Sequence, residues 1–227
     1  MYTLHIANKN YSSWSLRPWV LMKELSIPFK TEISPFQSGS NWSEFREFSP
    51  SGLVPCLIDG DQVIWDSLGI TEYLAEKHPA VWPSKPVARA WARCATAEMH
   101  SGFSELRNEC PMNCGIRVDL NRITEALQRD ISRVDELLSD GLYRFQGPFL
   151  AGNEFTAVDA FYAPVAFRIR SYSLNMSPQV LKYVDFLLST ESLKIWLKDA
   201  LKELWREPEH EQDSVKSGLL VEDLRQA

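Results

Sequence analysis

The 227-residue chain is short of several features that would narrow its class at once. No apolar run approaches the ~20 residues that span a bilayer, so no membrane segment is expected. Met1-Tyr2-Thr3-Leu4-His5 shows no basic region followed by an apolar stretch. No signal peptide is therefore read there, and a cytoplasmic location is the expectation. Basic residues are outnumbered, 24 Lys and Arg against 30 Asp and Glu. The resulting charge of −6 argues against a nucleic-acid partner, which needs a basic face. Cysteine is scarce: Cys56, Cys94, Cys110 and Cys114 are too few for a disulfide scaffold. Pro111-Met112-Asn113 separates the last two, which fits neither a CxxC redox pair nor a zinc knuckle. No paired histidines follow, so no metal is expected. Internal repeats are absent as well.

What is present favours a packed core. Hydrophobic residues make up 44% of the chain, and there are eight tryptophans. Tyr2 to Ala7 alternates, as a half-buried strand does. Polar residues fill Asn8 to Ser13. Leu16, Val20, Met22 and Leu25 then recur at helical spacing, and Pro18 places a helix start near Ser15, with the proline in the first turn. Phe29 to Ile33 reads as a strand, and Ser40 to Phe48 as a short irregular helix capped by Ser40 or Asn41. Cys56 to Asp59 and Val63 to Trp65 are two short strands joined by a tight turn at Gly60-Asp61. Ser67 to Lys77 is a helix closed by Lys77-His78-Pro79. The first eighty residues thus spell a small α/β unit with a parallel half and an antiparallel half.

A stiff connector holding Pro79, Pro83 and Pro86 follows, and beyond it the pattern is helical. Helices are expected over Val87 to about Glu109, Arg122 to Asp140, Thr156 to about Ser171, Val180 to Leu188 and Ser192 to Leu204. The charged tail after Arg206 is expected to be loosely held. Two domains follow from this division, residues 1–80 and 87–227.

Four segments carry the chemistry: Tyr11-Ser12-Ser13-Trp14-Ser15-Leu16-Arg17-Pro18, Ser49-Pro50-Ser51-Gly52-Leu53-Val54-Pro55, Trp65-Asp66-Ser67, and Thr156-Ala157-Val158-Asp159. In this order the chain resembles the cytosolic glutathione transferases over residues 1 to about 205. The look is that of the serine type, which includes the zeta class with its maleylacetoacetate isomerases. The resemblance implies an α/β thioredoxin-like N-terminal domain plus an all-α C-terminal domain, glutathione as co-substrate, a small-molecule electrophile and a homodimer. It also implies a cis bond at Val54–Pro55, with the N–H and C=O of Val54 pairing with the backbone of glutathione as an added strand would. Asp66 then meets the γ-glutamyl ammonium, and Ser67, at a helix N-terminus, meets its carboxylate.

The serine cluster is the reactive end. A thiol of pKa near 8.5 gives little thiolate at neutral pH. Lowering that by two units takes about 2.7 kcal/mol. One hydrogen bond to the charged sulfur supplies about 1.5–3 kcal/mol and a helix N-terminus about 0.3–1 more. Aligned on Arg17, Ser12 matches the family's catalytic serine, Ser13 is the runner-up, Tyr11 is a third candidate, and Ser15 is read as the helix cap. The zeta class has Ser-Ser-Cys here, whereas this chain has Trp14 in the third place, which reshapes the pocket and bears against the isomerase assignment. Gln37, with Asn41 and Trp42, lies in the segment the family uses for the glycine carboxylate. Met99, His100, Phe103 and Arg107 share a helical spacing and are read as a wall of the electrophile pocket. The stretch Arg107 to Asn113 looks like a helix break beside that pocket. Arg168 and Arg170 lie near where a substrate carboxylate would be met, although a solvated helix face explains them equally. Thr156 and Asp159 form a capping box whose role is folding. A transferase-like fold acting only as an interaction module is the non-enzymatic alternative.

Overall fold

The computed structural model describes residues 1–226, and Ala227 lies outside the described residues. Strand β1 (Tyr2–Ile6) buries every second side chain, as its alternation requires. Helix α1 (Ser13–Glu24) returns the chain to β2 (Phe29–Ile33), which lies parallel to β1. After the short α2 (Trp42–Phe45), β3 (Cys56–Asp59) and β4 (Gln62–Trp65) form a hairpin that adds antiparallel to the other side of β1. The turn takes Gly60 at φ +60, a conformation glycine adopts without cost. The sheet order is β2-β1-β3-β4, covered by α1 and α3 (Ser67–Lys77). Leu4, Ile6, Leu16, Val20, Leu57, Ile70 and Leu74 are fully buried. Each contributes about 1.5–3 kcal/mol by leaving water.

Helix α1 begins two residues earlier than its apolar pattern predicts. Pro18 is therefore its sixth residue rather than part of the first turn. Its missing N–H would have faced the carbonyl of Trp14. Ser15 does not cap the helix; Ser12 occupies the cap position, with no side-chain bond to the helix backbone.

A 3₁₀ turn (Pro79–Val81) leads into the second domain. Where one long helix is expected, two stand: α4 (Pro86–Ser101) and α5 (Ser104–Glu109). Phe103 sits between them in the left-handed region, φ 58. Arg107 holds the break by donating to the carbonyls of Met99, His100 and Gly102. Strand β5 (Ile116–Leu120) precedes α6 (Glu125–Phe145), α7 (Ala157–Ser171), α8 (Pro178–Leu188) and α9 (Glu191–Lys202). Helix α7 is the central one: every residue but Arg170 is buried. Its start is the expected capping box of Thr156 and Asp159.

The tail is not loosely held. Glu207 caps α10 (Pro208–Val215), its carboxylate accepting from the N–H of His210 at 2.7 Å, and Pro208 takes the N1 position. Strand β6 (Gly218–Asp223) then pairs antiparallel with β5. The helical domain thus carries a two-stranded ribbon that its helical periodicity does not announce.

The domains lock at the loop after β1. The buried Glu203 carboxylate accepts from the N–H groups of Lys9 at 2.6 Å and Asn10 at 3.3 Å. Asn10 Nδ2 donates to Ala200 O, and Trp196 Nε1 donates to Lys9 O. Lys9 Nζ lies beside the faces of Trp19 and Trp196 and pairs with Asp199 at 2.5 Å.

Candidate functional site

A cleft of about 760 Å³ opens between the domains, with α1 and the cis Val54–Pro55 turn on one side and α4, α5 and α10 on the other. It brings together Tyr11, Ser12, Ser13, Trp14, Val54, Pro55, Asp66, Ser67, His100 and Arg107.

The serines sit where the chain leaves β1 and winds into α1. The N–H of Ser12 donates to Asn8 O at 2.9 Å, and that of Ser13 to Tyr11 O at 2.8 Å. The first helical bond runs from Leu16 N–H to Ser12 O. A helix start carries N–H groups without intrahelical partners and a positive dipole end. Ser12 Oγ donates to Ser15 Oγ at 2.7 Å, and Ser15 Oγ also accepts from the N–H of Ala7 at 3.3 Å. Tyr11 turns its hydroxyl elsewhere, donating to Glu211 of α10. Burial, then that bond, pushes Tyr11 far above its usual acidity range.

Asp66 adopts φ 68, ψ 137, a backbone that non-glycine residues rarely take. Its Oδ1 accepts from the N–H groups of Leu68 and Gly69, at 2.8 and 3.2 Å, which holds the conformation and caps α3. Oδ2 faces His100 Nε2 at 3.5 Å. Burial pushes the His100 imidazole below its usual range; Asp66 pulls the other way, and Arg17 and Arg107 add to the depression. Ser67 is buried, with Arg17 Nη1 at 3.4 Å from its Oγ. Trp14 packs against two guanidinium groups: Arg17 is 4.0 Å from its ring centre and Arg107 4.7 Å. The His100 ring meets the indole edge-on at 5.3 Å.

Gln37 and Phe103 do not reach the cleft. Gln37 is exposed, its Nε2 donating to Glu44 at 3.0 Å and its N–H to Asn41 Oδ1 at 2.9 Å, so both donors serve the local turn. Phe103 is buried at the α4–α5 break, where the left-handed backbone aims it into the core. Arg168 and Arg170 separate: Arg168 is buried and lines the cleft, whereas Arg170 is exposed and pairs with Asp185 at 2.5 Å.

Sequence reasoning misses the tail altogether. His210, Asp213 and Ser214 line the cleft from α10, and His210 stacks on Phe36 with centroids 4.7 Å apart. The signal that could have found them is Glu207-Pro208, a capping acid followed by a first-turn proline. Among the described residues, no group of three or more His, Cys, Asp and Glu is placed to hold a metal ion. Among the described residues, no helix is long and apolar enough to cross a membrane.

Comparison with known proteins agrees with this geometry. The family model described as "Glutathione S-transferase, N-terminal domain" matches residues 11–77, and "Glutathione S-transferase, C-terminal domain" matches residues 117–199. The chain is 30% identical over 171 residues to "Probable maleylacetoacetate isomerase 1" of Drosophila melanogaster, covering 73% of this chain and 68% of that protein. It is 26% identical over 162 residues to "Stringent starvation protein A homolog" of Pasteurella multocida, covering 70% and 71%. A crystal structure of a Burkholderia glutathione transferase homologue, solved with bound glutathione, shares the fold with TM-score 0.67 at 22% identity, covering 88% of this chain and 97% of that one. The cleft, the thioredoxin-like sheet with its helical partner domain, and matches over both halves lead to one conclusion: the chain belongs to the glutathione S-transferase family.

Proposed function

We propose that this protein is a glutathione transferase of the serine type, which holds glutathione as a thiolate for attack on a small electrophile. The observation that carries the reading is the hydroxyl pair at the head of α1. Ser12 and Ser15 lie within hydrogen-bond distance, and the N–H of Ala7 anchors the second of them. Rotating both hydroxyls lets Ser15 donate to Ser12 and Ser12 donate into the cleft. Each bond in such a chain polarises the next. The sulfur anion then gains one charge-assisted hydrogen bond, about 1.5–3 kcal/mol, and the helix N-terminus adds about 0.3–1 kcal/mol. Ser13 stands beside Ser12 on the same wall as the second donor.

The other end of the cleft suits a zwitterionic head. Asp66 keeps Oδ2 toward the cavity for an ammonium, and Ser67 offers its hydroxyl at the N-terminus of α3, with the Arg17 charge behind it. Val54 lies between the two ends, where its backbone pairs with the peptide. In this reading the residues form domains 1–80 and 87–227, the protein acts in the cytoplasm, and it works as a homodimer. The Drosophila relative's name supports a second reading, a glutathione-dependent isomerase in which the sulfur adds to the substrate and leaves again.

Titration calorimetry with glutathione, followed by conjugation of a generic aryl halide by wild type and Ser12→Ala, tests the proposal. Retained binding with lost turnover is the expected result. Isomerisation without conjugation favours the second reading. Absence of glutathione binding refutes both and leaves the interaction-module alternative.

A further inference from the structure

The tail places an imidazole in the cleft with one nitrogen fixed and the other free. His210 Nδ1 lies 2.7 Å from Glu207 Oε2. A carboxylate only accepts, so the shared proton sits on Nδ1, and Nε2 of the neutral ring keeps its lone pair. Among the described residues Nε2 has no hydrogen-bond partner, and 39% of the side chain is open. Neighbouring rings hold the imidazole as well. It stacks on Phe36, with centroids 4.7 Å apart and planes 17° from parallel, and it leans on Tyr11 at 5.0 Å. Tyr11 immediately precedes Ser12, and all four residues line the same cleft.

Helix capping explains only part of this arrangement. Glu207 Oε2 already accepts from the N–H of His210 at 2.7 Å, which is all that a cap requires. A cap has no need of a buried carboxylate, which loses its hydration. Glu207 is nevertheless 3% exposed, and the same oxygen bonds the ring. Of the other acids on α10, Glu211 is taken by Tyr11 and Arg225, Asp213 pairs with Lys216, and Glu209 is exposed. A buried carboxylate that fixes one ring nitrogen and leaves the other toward a cavity is the arrangement of an acid–base pair, in which a third group orients the base.

We propose that His210, oriented by Glu207, is a catalytic acid–base residue that carries the glutathione proton to electrophiles whose carbon–carbon double bond is conjugated to a carbonyl. The inference rests on the transferase reading and adds to it a residue and a class of electrophile. As glutathione ionises, its S–H bond breaks and the proton passes to Nε2, while Glu207 meets the charge arriving on the ring. The thiolate then attacks the β-carbon. A C–S bond forms, and the double-bond pair moves through to the carbonyl oxygen as an enolate. Nε2 returns the proton to that oxygen, and the enol relaxes to the ketone with hydrogen on the α-carbon. The sum is one S–H added across one C=C, and the imidazole is regenerated. Replacement of an aryl halogen has no such need, since halide leaves with its bonding pair and the proton passes to water.

Single turnovers test the assignment. Benzylideneacetone, an enone, and chlorodinitrobenzene, an aryl halide, are mixed with glutathione-loaded wild type, His210→Ala and Glu207→Gln. Acid–base catalysis by a positioned side chain is worth about 10²–10⁴-fold. His210→Ala should therefore slow the enone by about a hundredfold or more, and the aryl halide far less. Added imidazole should restore part of the enone rate in that variant, a rescue that a purely structural role does not give. Glu207→Gln keeps an acceptor for the cap and the ring, and it should slow the enone by a smaller factor. Equal losses for the two substrates, or no rescue by imidazole, overturn the proposal. So does a wild type that conjugates the aryl halide and leaves the enone untouched, an arm that needs no variant to fold. If glutathione does not bind, the transferase reading falls and the inference with it. If the aryl halide is conjugated and only the enone result fails, the inference alone falls.

Discussion

Ser12 and Ser15 share a hydrogen bond of 2.7 Å in which the second serine is itself fixed by the N–H of Ala7. The Ser12 hydroxyl is thus held from the end of β1, not only from its own helix. Ser15→Ala leaves Ser12 in place but removes its partner and strands a buried N–H. The thiolate of bound glutathione, followed by its ultraviolet absorbance against pH, should then appear about one unit higher, the equivalent of ~1.4 kcal/mol. Turnover should fall about tenfold. An unmoved titration curve in Ser15→Ala would exclude the relay.

Trp14 packs against the guanidinium groups of both Arg17 and Arg107. Its ring faces offset their repulsion, at about 1–2 kcal/mol for each desolvated pair. Trp14→Ala should therefore lower the urea midpoint by the equivalent of about 2 kcal/mol or more. It should also admit bulkier aryl halides, read as a rise in their kcat/KM relative to the smallest. A variant as stable as wild type would show that the indole contributes nothing to holding the arginines.

Asp159 is fully buried. It accepts from the N–H groups of Leu150 and Thr156 and from the Tyr183 hydroxyl, all at 2.9–3.0 Å. Asp159→Ala strands all three donors, and stability should fall by about 2–4 kcal/mol. Burial raises the carboxyl to about 6. An unfolded aspartate loses its proton near 3.9. Between those values the folded chain holds a proton that the unfolded chain has released, so this group's contribution declines as pH rises from about 4 to about 6. Asp159→Asn should flatten that part of a stability-against-pH curve. A curve as steep as that of wild type would refute the assignment.

Arg225 has its guanidinium buried, donating to Glu211 at 2.5 and 2.8 Å and to Asp223 at 2.7 and 2.8 Å. Glu211 in turn receives the Tyr11 hydroxyl. Both carboxylates keep part of their surface in water, so losing the arginine costs less than the ~3–5 kcal/mol of a fully buried pair. Arg225→Gln should release α10 from the cleft, with faster proteolysis confined to the tail and a higher KM for the electrophile. Proteolysis at the wild-type rate would mean the latch lies elsewhere.

The α/β half is legible because each of its signals is local. Alternation marks β1, the Gly60 turn marks the hairpin, and Asp66 marks the head of α3. The capping box at Thr156 is equally local. The cleft's far wall is harder. Phe103 bends the chain in a conformation that aromatic residues rarely take, and the long-range stitching by Arg107 that holds it has no sequence pattern. Ile116 to Leu120 does alternate, but its partner lies about a hundred residues later, so pairing cannot be read from either strand alone. Gln37 is drawn away by Asn41 and Glu44, a contest between neighbours that composition does not decide. Arg168 and Arg170 differ in fate only because α7 is buried on all sides but one.

The loop that precedes the serines is clasped by Glu203, 194 residues further along the chain. On a ribosome the amino-terminal sheet emerges long before the carboxylate that secures the turn after β1. The loop after β1 is therefore born unfinished and is fixed only when the last long helix docks. A nascent-chain series arrested at increasing lengths should gain glutathione binding abruptly once residue 203 clears the exit tunnel, rather than gradually after residue 80.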